Sequence, residues 1–349
     1  FACGPGFDAL NNSAAHTKRL IVVLNDNEWS IGAYVGAIAK IFNAIATHSG
    51  YADIHQKAAH FIEFILGKQA RRFAGKVEES AKGLLLPQGG SAPTRSVFFE
   101  EFGFRYYGPI DGHDVGLLTR TFEFLKTQNE PVILHILTEK GRGYQPALED
   151  PGKFHGLGKY NIETGETPGT ATPTYSQIFA RTVTDFAKQD EKIVDITAAM
   201  PGGTGLSVFK QEMPERYFDA GIAEEHAALF ACGMATRGLR PFLAIYSTFM
   251  QRAYDMIIHD MAIQDLPVRL CMDRGGLSGD DGPTHHGLFD IAYLRPVPGL
   301  VHMQPKDEDE FVDMLWTMAN YDKGPIASRY PRGNGPGVSS SIPREDRWV

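Results

Sequence analysis

The sequence predicts an α/β protein of two domains, each a mostly parallel sheet with helices on both faces. Three observations predict it. Short apolar runs rich in β-branched residues recur along the chain, segments of helical periodicity separate them, and clusters of polar residues stand where the runs end. The first two make strand–helix alternation and a covered parallel sheet. The third fits, because such sheets place their ligand sites at the carboxyl ends of strands. A length of 349 residues suits two domains at roughly 100–200 residues each.

In chain order, residues 20–24 read as a strand buried on both faces, ending in Asn25-Asp26-Asn27. Residues 132–137 form a second apolar run, ending in Lys140-Gly141-Arg142-Gly143-Tyr144. The stretch 35–95, with a Gly/Ser/Pro segment at 88–93, reads as peripheral. Residues 162–174 are rich in Thr, Gly and Pro without apolar periodicity and predict a linker, which places one domain at 1–161 and another at 175–349. In the second domain Phe179, Val183, Phe186 and Ala187 share one face of a helix over 176–188. Strands are expected at 193–196, 217–218, 241–246, 268–272, 301–303 and 326–330, with helices at 224–237, 248–264 and 307–320.

Composition narrows the function classes. Apolar residues are 43% and charged residues 22% of the chain, as in ordinary globular proteins. Lys and Arg number 34 against 42 Asp and Glu, a net charge of −8, which argues against a general nucleic-acid-binding surface. Cys3, Cys232 and Cys271 are too few and scattered for a disulfide framework or a zinc cluster and suit a reducing cytosol. No apolar run approaches the ~18 residues of a membrane span. The first residues have neither an initiator Met nor the pattern of a signal peptide, so the chain is expected to begin inside a longer protein.

Five polar clusters carry the candidate chemistry. Asn25 to Ser30 offers amide and carboxylate oxygens that suit a hard cation such as magnesium; the same residues also make an ordinary Asn/Asp turn. Asp219 to His226 leads into an almost wholly apolar helix. One of Glu224 and Glu225 is explained by the helix dipole, and the other is unexplained unless it faces a ligand. Residues 246–255 open a helix with Ser247 or Thr248 as its expected N-cap and Phe249 in the first turn; Arg252 and Asp255 stand at pairing distance. Residues 273–287 combine five glycines, three aspartates, two histidines and Arg274 directly after a strand, the composition of a functional loop. Arg329 and Arg332 repeat the arrangement at the last strand and suit a phosphate or carboxylate. His155 is isolated in sequence.

Taken together, the segments LIVVLNDNEWSI, YYGPIDGHDV, EKGRGYQPA, FHG, RYFDAGIAEEHA, IYSTFMQRAYD, HDMAIQDLPV, DRGGLSGDDGPTHHG and SRYPRGN resemble the 1-deoxy-D-xylulose-5-phosphate synthase family, thiamine diphosphate enzymes related to transketolase. They occur in that family's order along nearly the whole chain outside 35–95. Looser forms of GDDGPTHHG and YSTFMQRAYD occur in other transketolase relatives, whereas GPIDGHDV, RGYQPA and SRYPRGN favour the synthases. The family's GDG motif and cofactor-binding histidines would stand before Phe1, and its third α/β domain would follow Val349. The sequence is therefore expected to be an internal portion of the enzyme.

The resemblance implies two thiamine-diphosphate-binding, transketolase-like domains, with the diphosphate on the first and the pyrimidine on the second. It implies a magnesium ion held by the Asn27 side chain and the Trp29 carbonyl, and cofactor contacts from Tyr144, Glu224 and Phe249. Glu224 would bond the aminopyrimidine and Phe249 would stack on it. Asp281 and His285, with His155 as a second candidate, would handle substrate protons. Arg274, Arg332 and Tyr246 would clamp the acceptor phosphate, and Arg252 would contact substrate or serve the fold. Implied too are pyruvate and glyceraldehyde 3-phosphate as substrates, a cytoplasmic homodimer, and no nucleic-acid or membrane partner. The alternatives are another transketolase-superfamily enzyme, such as a transketolase or a 2-oxoacid decarboxylase component, and a non-catalytic fragment.

Overall fold

The computed structural model describes residues 3–29, 35, 99–100, 102–169 and 172–338. The expectation for 35–95 lies outside the described residues, apart from Val35. The chain divides into two compact units, residues 1–29 with 37–142, and residues 30–36 with 143–349.

The first unit carries a parallel sheet of three described strands, β1 Ile21–Asp26, β2 Arg105–Asp111 and β3 Val132–Leu137, in the order β1-β3-β2. Alternation along each strand sorts its side chains between two faces. Ile133 packs with Leu10 of the helix Gly4–His16, Phe99 and Phe104 on one face. Val132 and Leu134 pack with Leu117 and Leu125 of the helix Val115–Leu125 on the other. The expectation that 20–24 is buried on both faces is corrected: β1 lies at the edge of the described sheet, and Val23 is 43% exposed.

β2 has no counterpart among the strands expected from the sequence. Its residues RYYGPID contain a Gly-Pro pair in place of an apolar run. The pairing with β3 slips between Tyr107 and Ile110. Gly108 has φ +117°, and a Cβ there would lie 2.3 Å from the carbonyl oxygen of His135. Only glycine allows that approach.

The second unit is built on a six-stranded parallel sheet in the order β5-β4-β6-β7-β9-β8. Its strands are β4 Ile193–Thr197, β5 Tyr217–Asp219, β6 Arg240–Tyr246, β7 Arg269–Asp273, β8 Val301–Met303 and β9 Ile326–Arg329, each within two residues of its expected bounds. The four central strands are buried almost throughout. One face packs against the helix Glu224–Thr236 and residues 250–262. The other packs against the helices Tyr175–Gln189 and Glu308–Asn320. Helices on both faces are thus present as expected.

Thr174 caps the helix Tyr175–Gln189 in a reciprocal box with Gln177. It also bridges Asn334, so the end of the Thr/Gly/Pro segment is tied to the chain after β9.

The helix expected over 248–264 is broken. Ser247–Met250 is α-helical, Gln251–Ala253 is a 3₁₀ turn, Tyr254–Met256 returns to α, and Ile257–Ala262 is a π-helix. Its N-cap is Tyr246, without a side-chain cap bond. Ser247, expected to cap, instead donates to buried Asp290 at 2.7 Å, and Thr248 donates to the Thr284 carbonyl at 3.2 Å. A buried carboxylate is the stronger acceptor for the Ser247 hydroxyl.

Candidate active site

The polar clusters of the second unit collect at the carboxyl edge of its sheet. β5 leads through a short loop to Glu224, β6 to Phe249, β7 to Arg274 and β9 to Arg332.

Glu224 opens its helix and is only 2% exposed. Its Oε1 accepts from Arg252 Nη1 at 2.6 Å. Burial pushes the Glu224 carboxyl above the usual carboxylate range, against the pull of its own backbone N–H and of Arg252. The expected Arg252–Asp255 pair does not form: Asp255 contacts His259 Nδ1 at 2.8 Å, while Arg252 reaches the buried acid. The Arg252 guanidinium lies 5.2 Å from the centroid of the Phe249 ring, within cation–π range.

From Phe249 an aromatic floor continues. Tyr246 stacks on Phe249 at 5.8 Å, and His285 stands edge-on to Phe249 at 5.4 Å. The Arg274 guanidinium lies over the Tyr246 ring at 3.9 Å from its centroid. Burial pushes the Tyr246 phenol up, so it stays protonated. Gly203 is needed beneath it, since a Cβ there would lie 1.7 Å from the Tyr246 hydroxyl. The Gly203 carbonyl also accepts from Arg274 at 2.6 Å.

Two cations converge on one oxygen. Asp281 Oδ2 lies 3.4 Å from Arg274 Nε and 3.0 Å from Arg332 Nε. Arg274 itself has φ +59° and is held from behind by Asp273, which is fully buried and accepts from Ser176 at 2.6 Å. The guanidinium pair thus makes a seat for a single anion, with the Asp281 carboxylate in it.

The pairing of Arg329 with Arg332 as twin anion ligands is corrected. Arg329 is buried, donating to Asp290 Oδ2 at 2.8 Å, to the Gly287 carbonyl at 3.0 Å and to Gln304. With Ser247, these bonds bolt the 273–287 loop to the sheet. Asp290 and Gln304 were missed in the sequence, and nothing in their spacing signals the network.

His155 stands exposed at the end of the turn Lys153–His155. The Tyr144 ring lies edge-on to Phe154 at 5.4 Å, and its hydroxyl donates to the Ile162 carbonyl at 2.8 Å.

In the first unit, the candidate cation turn follows β1. Asn27 Oδ1 accepts from Trp29 N at 3.0 Å, and Glu28 takes the left-handed φ of +62°. Lys140 lies over the Trp29 ring at 5.1 Å. Among the described residues no three His, Cys, Asp or Glu side chains gather as a metal cluster. The donors the turn offers are an amide oxygen and backbone carbonyls. Those are hard ligands that suit magnesium and leave shell positions to water and phosphate oxygens.

Residues 1–138 match the family model described as 1-deoxy-D-xylulose-5-phosphate synthase, and residues 171–337 match that described as transketolase, pyrimidine binding domain. The proteins named 1-deoxy-D-xylulose-5-phosphate synthase from Acidobacterium capsulatum and Methylacidiphilum infernorum are each 58% identical to this chain, over 97% of it and 52% of their own length. One named 1-deoxy-D-xylulose-5-phosphate synthase 1 from Geobacter sulfurreducens is 48% identical, over 96% of this chain and 52% of its own. A split-gene transketolase, solved as an inactive β4 tetramer, aligns with a TM-score of 0.44 at 23% identity, over 51% of this chain and 57% of that one. The chain spans about half the length of the curated relatives it matches. By its two family models and these identities the chain is similar, along nearly all of its residues, to the 1-deoxy-D-xylulose-5-phosphate synthase family.

Proposed function

We propose that the chain works as part of a 1-deoxy-D-xylulose-5-phosphate synthase. The enzyme would condense pyruvate with glyceraldehyde 3-phosphate, using thiamine diphosphate and magnesium, and release carbon dioxide and 1-deoxy-D-xylulose 5-phosphate. This is the first step of non-mevalonate isoprenoid synthesis. The observation that carries the reading is the continuity of one site: an anion seat of Arg274 and Arg332 adjoins the Tyr246–Phe249 floor, which leads through Arg252 to the buried acid Glu224. A phosphorylated acceptor and an aromatic, nitrogen-bearing cofactor ring call for those two ends.

Bound thiamine diphosphate would supply the carbon nucleophile that adds to pyruvate and the electron sink needed when carbon dioxide leaves. Glu224, its proton affinity raised by burial, holds a proton at a pyrimidine ring nitrogen. Arg252 positions that carboxyl and lies where it can also meet substrate. Phe249 presents its face to the pyrimidine. Arg274 and Arg332 receive the acceptor phosphate dianion, bounded by Tyr246, as two fixed guanidinium forks. Phosphate entry displaces Asp281 from the seat, which frees its carboxylate to work with His285 on substrate hydroxyl and carbonyl protons; His155 is a second candidate for that task. Tyr144 contacts the cofactor, and Asn27 with the Trp29 carbonyl binds the magnesium. We assign 1–161 to the diphosphate-binding domain, 162–174 to a linker and 175–349 to the pyrimidine-binding domain, in a cytoplasmic homodimer.

The test uses the complete protein that carries this chain. Arg274→Ala and Arg332→Ala are expected to raise KM for glyceraldehyde 3-phosphate by about 10–100-fold, the worth of one charge-assisted hydrogen bond, with little change for pyruvate. Unphosphorylated glyceraldehyde should not distinguish mutant from parent. Equal impairment of pyruvate would assign the arginines to the donor or to the fold and overturn the phosphate clamp, whereas carbon dioxide release without consumption of the phosphorylated acceptor overturns the reading in favour of a different member of the superfamily.

A further inference from the structure

We propose that His135 is a positioning residue for the cation turn, acting through a buried relay Tyr106–His135–Asp26. The inference rests on the reading of Asn27 as the magnesium contact and goes beyond it.

His135 interrupts the apolar run of β3 and is 0% exposed. An imidazole in such a place is costly unless both nitrogens are satisfied, and both are. Tyr106 on β2 lies 2.6 Å from His135 Nδ1, and Asp26, at the end of β1, lies 3.2 Å from Nε2. A carboxylate can only accept, so Nε2 carries the proton, and in the neutral ring Nδ1 accepts from the Tyr106 hydroxyl. Phe99 stacks on Tyr106 with ring planes 4° apart and centroids 5.6 Å apart, which fixes the phenol end of the relay.

The other end reaches the turn. Asp26 is 4% exposed, and its free-standing geometry is removed from both sides. Oδ2 is held by His135, and Oδ1 accepts the backbone N–H of Glu28 at 3.2 Å. Glu28 is the residue in the left-handed region, a conformation unfavourable for a side chain with a Cβ and retained only when its surroundings impose it. The bond from Asp26 is one such constraint. The Asn27 Oδ1–Trp29 N bond then sets the amide oxygen and the peptide beyond it. Three strands thus converge on the orientation of two oxygen donors. A buried polar relay is not needed for packing, since apolar residues would fill the same space; its consequence lies in where the turn points. Outer partners of this kind tune metal affinity without touching the ion.

The experiment measures the magnesium midpoint for thiamine diphosphate binding by calorimetry in the complete protein, with Mn²⁺ binding by electron paramagnetic resonance as a second readout. The variants are His135→Gln, Tyr106→Phe and Asn27→Ala. His135→Gln is expected to raise the midpoint about 10-fold, and Tyr106→Phe, which removes one hydroxyl and stays folded by circular dichroism, several-fold in the same direction. Excess magnesium should restore cofactor binding in both. If both variants lose thermal stability while the midpoint stays put and Asn27→Ala shifts it, His135 serves the fold alone and the proposal fails with the magnesium site intact. If Asn27→Ala leaves the midpoint unchanged, the magnesium reading itself fails, and the positioning role with it.

Discussion

Arg329 ends β9 and Arg332 follows it three positions on, and the two serve different ends. Arg329 sits among buried partners, whereas Arg332 reaches outward to share Asp281 with Arg274. Truncating them should therefore separate stability from binding. Arg329→Ala leaves Asp290 buried without its counter-ion, and breaking such a pair costs about 3–5 kcal/mol. Arg332→Ala removes a partly exposed contact and should change stability by less than about 1 kcal/mol, while weakening phosphate binding. Urea midpoints and a titration with inorganic phosphate measure the two effects; a stable Arg329→Ala protein with impaired phosphate binding would reverse the assignment. The sequence shows both arginines as charges at a strand end. It does not show which faces inward, because that depends on Asp290 and Gln304, brought in from other elements. His135 was equally hidden. It sits in a run read as apolar, and its partners Asp26 and Tyr106 are distant in sequence.

Elements were legible where burial imposes a pattern. The four central strands of the second unit are buried on both faces and read as apolar runs, so they stand near their expected places. The helices Tyr175–Gln189 and Glu308–Asn320, which cover one sheet face, were found by their periodicity. β2 was missed because the bulge that brings it onto β3 uses Gly108 and Pro109, residues that otherwise punctuate turns. The π-helical stretch Ile257–Ala262 keeps helical apolar spacing closely enough to pass as an unbroken helix. β4 carries a feature its pattern concealed. Asp195 is 0% exposed in the middle of the strand, and neither carboxyl oxygen has a hydrogen-bond partner among the described residues. Burial raises its proton affinity well above normal, and the ionisable groups coupled to it are Tyr217 on β5, Cys271 on β7 and Tyr330 after β9. The folded chain then keeps this proton to higher pH than the unfolded chain does. Between the two values the native state binds more protons, so stability falls as pH rises, by about 1.4 kcal/mol per unit. Asp195→Asn has nearly the same shape and no titration. It should match the parent near the ordinary carboxylate pKa of about 4 and become progressively the more stable of the two toward neutral pH. Parallel pH dependences of the urea midpoints would show that Asp195 is ionised in the native protein.

At the scale of the molecule, the two units differ in how far their described residues close on themselves. Among the described residues, both apolar cores flanking the six-stranded sheet are assembled from 175–330. The ends of this region are pinned to each other: Tyr175 N donates to the Gly333 carbonyl at 3.0 Å, Gly335 N to the Pro173 carbonyl at 3.0 Å, and Thr172 Oγ1 to the Gly335 carbonyl at 2.9 Å. A region of this size buries about two thirds of its unfolded surface, enough for independent stability. Residues 172–338 produced alone should therefore fold and unfold in one cooperative urea transition, with slow amide exchange in β4, β6, β7 and β9. The anion seat travels with it, because Arg274, Arg332 and Asp281 all lie inside, as do Glu224, Arg252 and the aromatic floor. Inorganic phosphate should then raise the urea midpoint of the isolated region, and Arg274→Ala combined with Arg332→Ala should abolish that rise. A cooperative fold that phosphate leaves unmoved would place the missing part of the seat in residues outside 172–338, whereas a non-cooperative transition would mean that these cores need the rest of the chain to close.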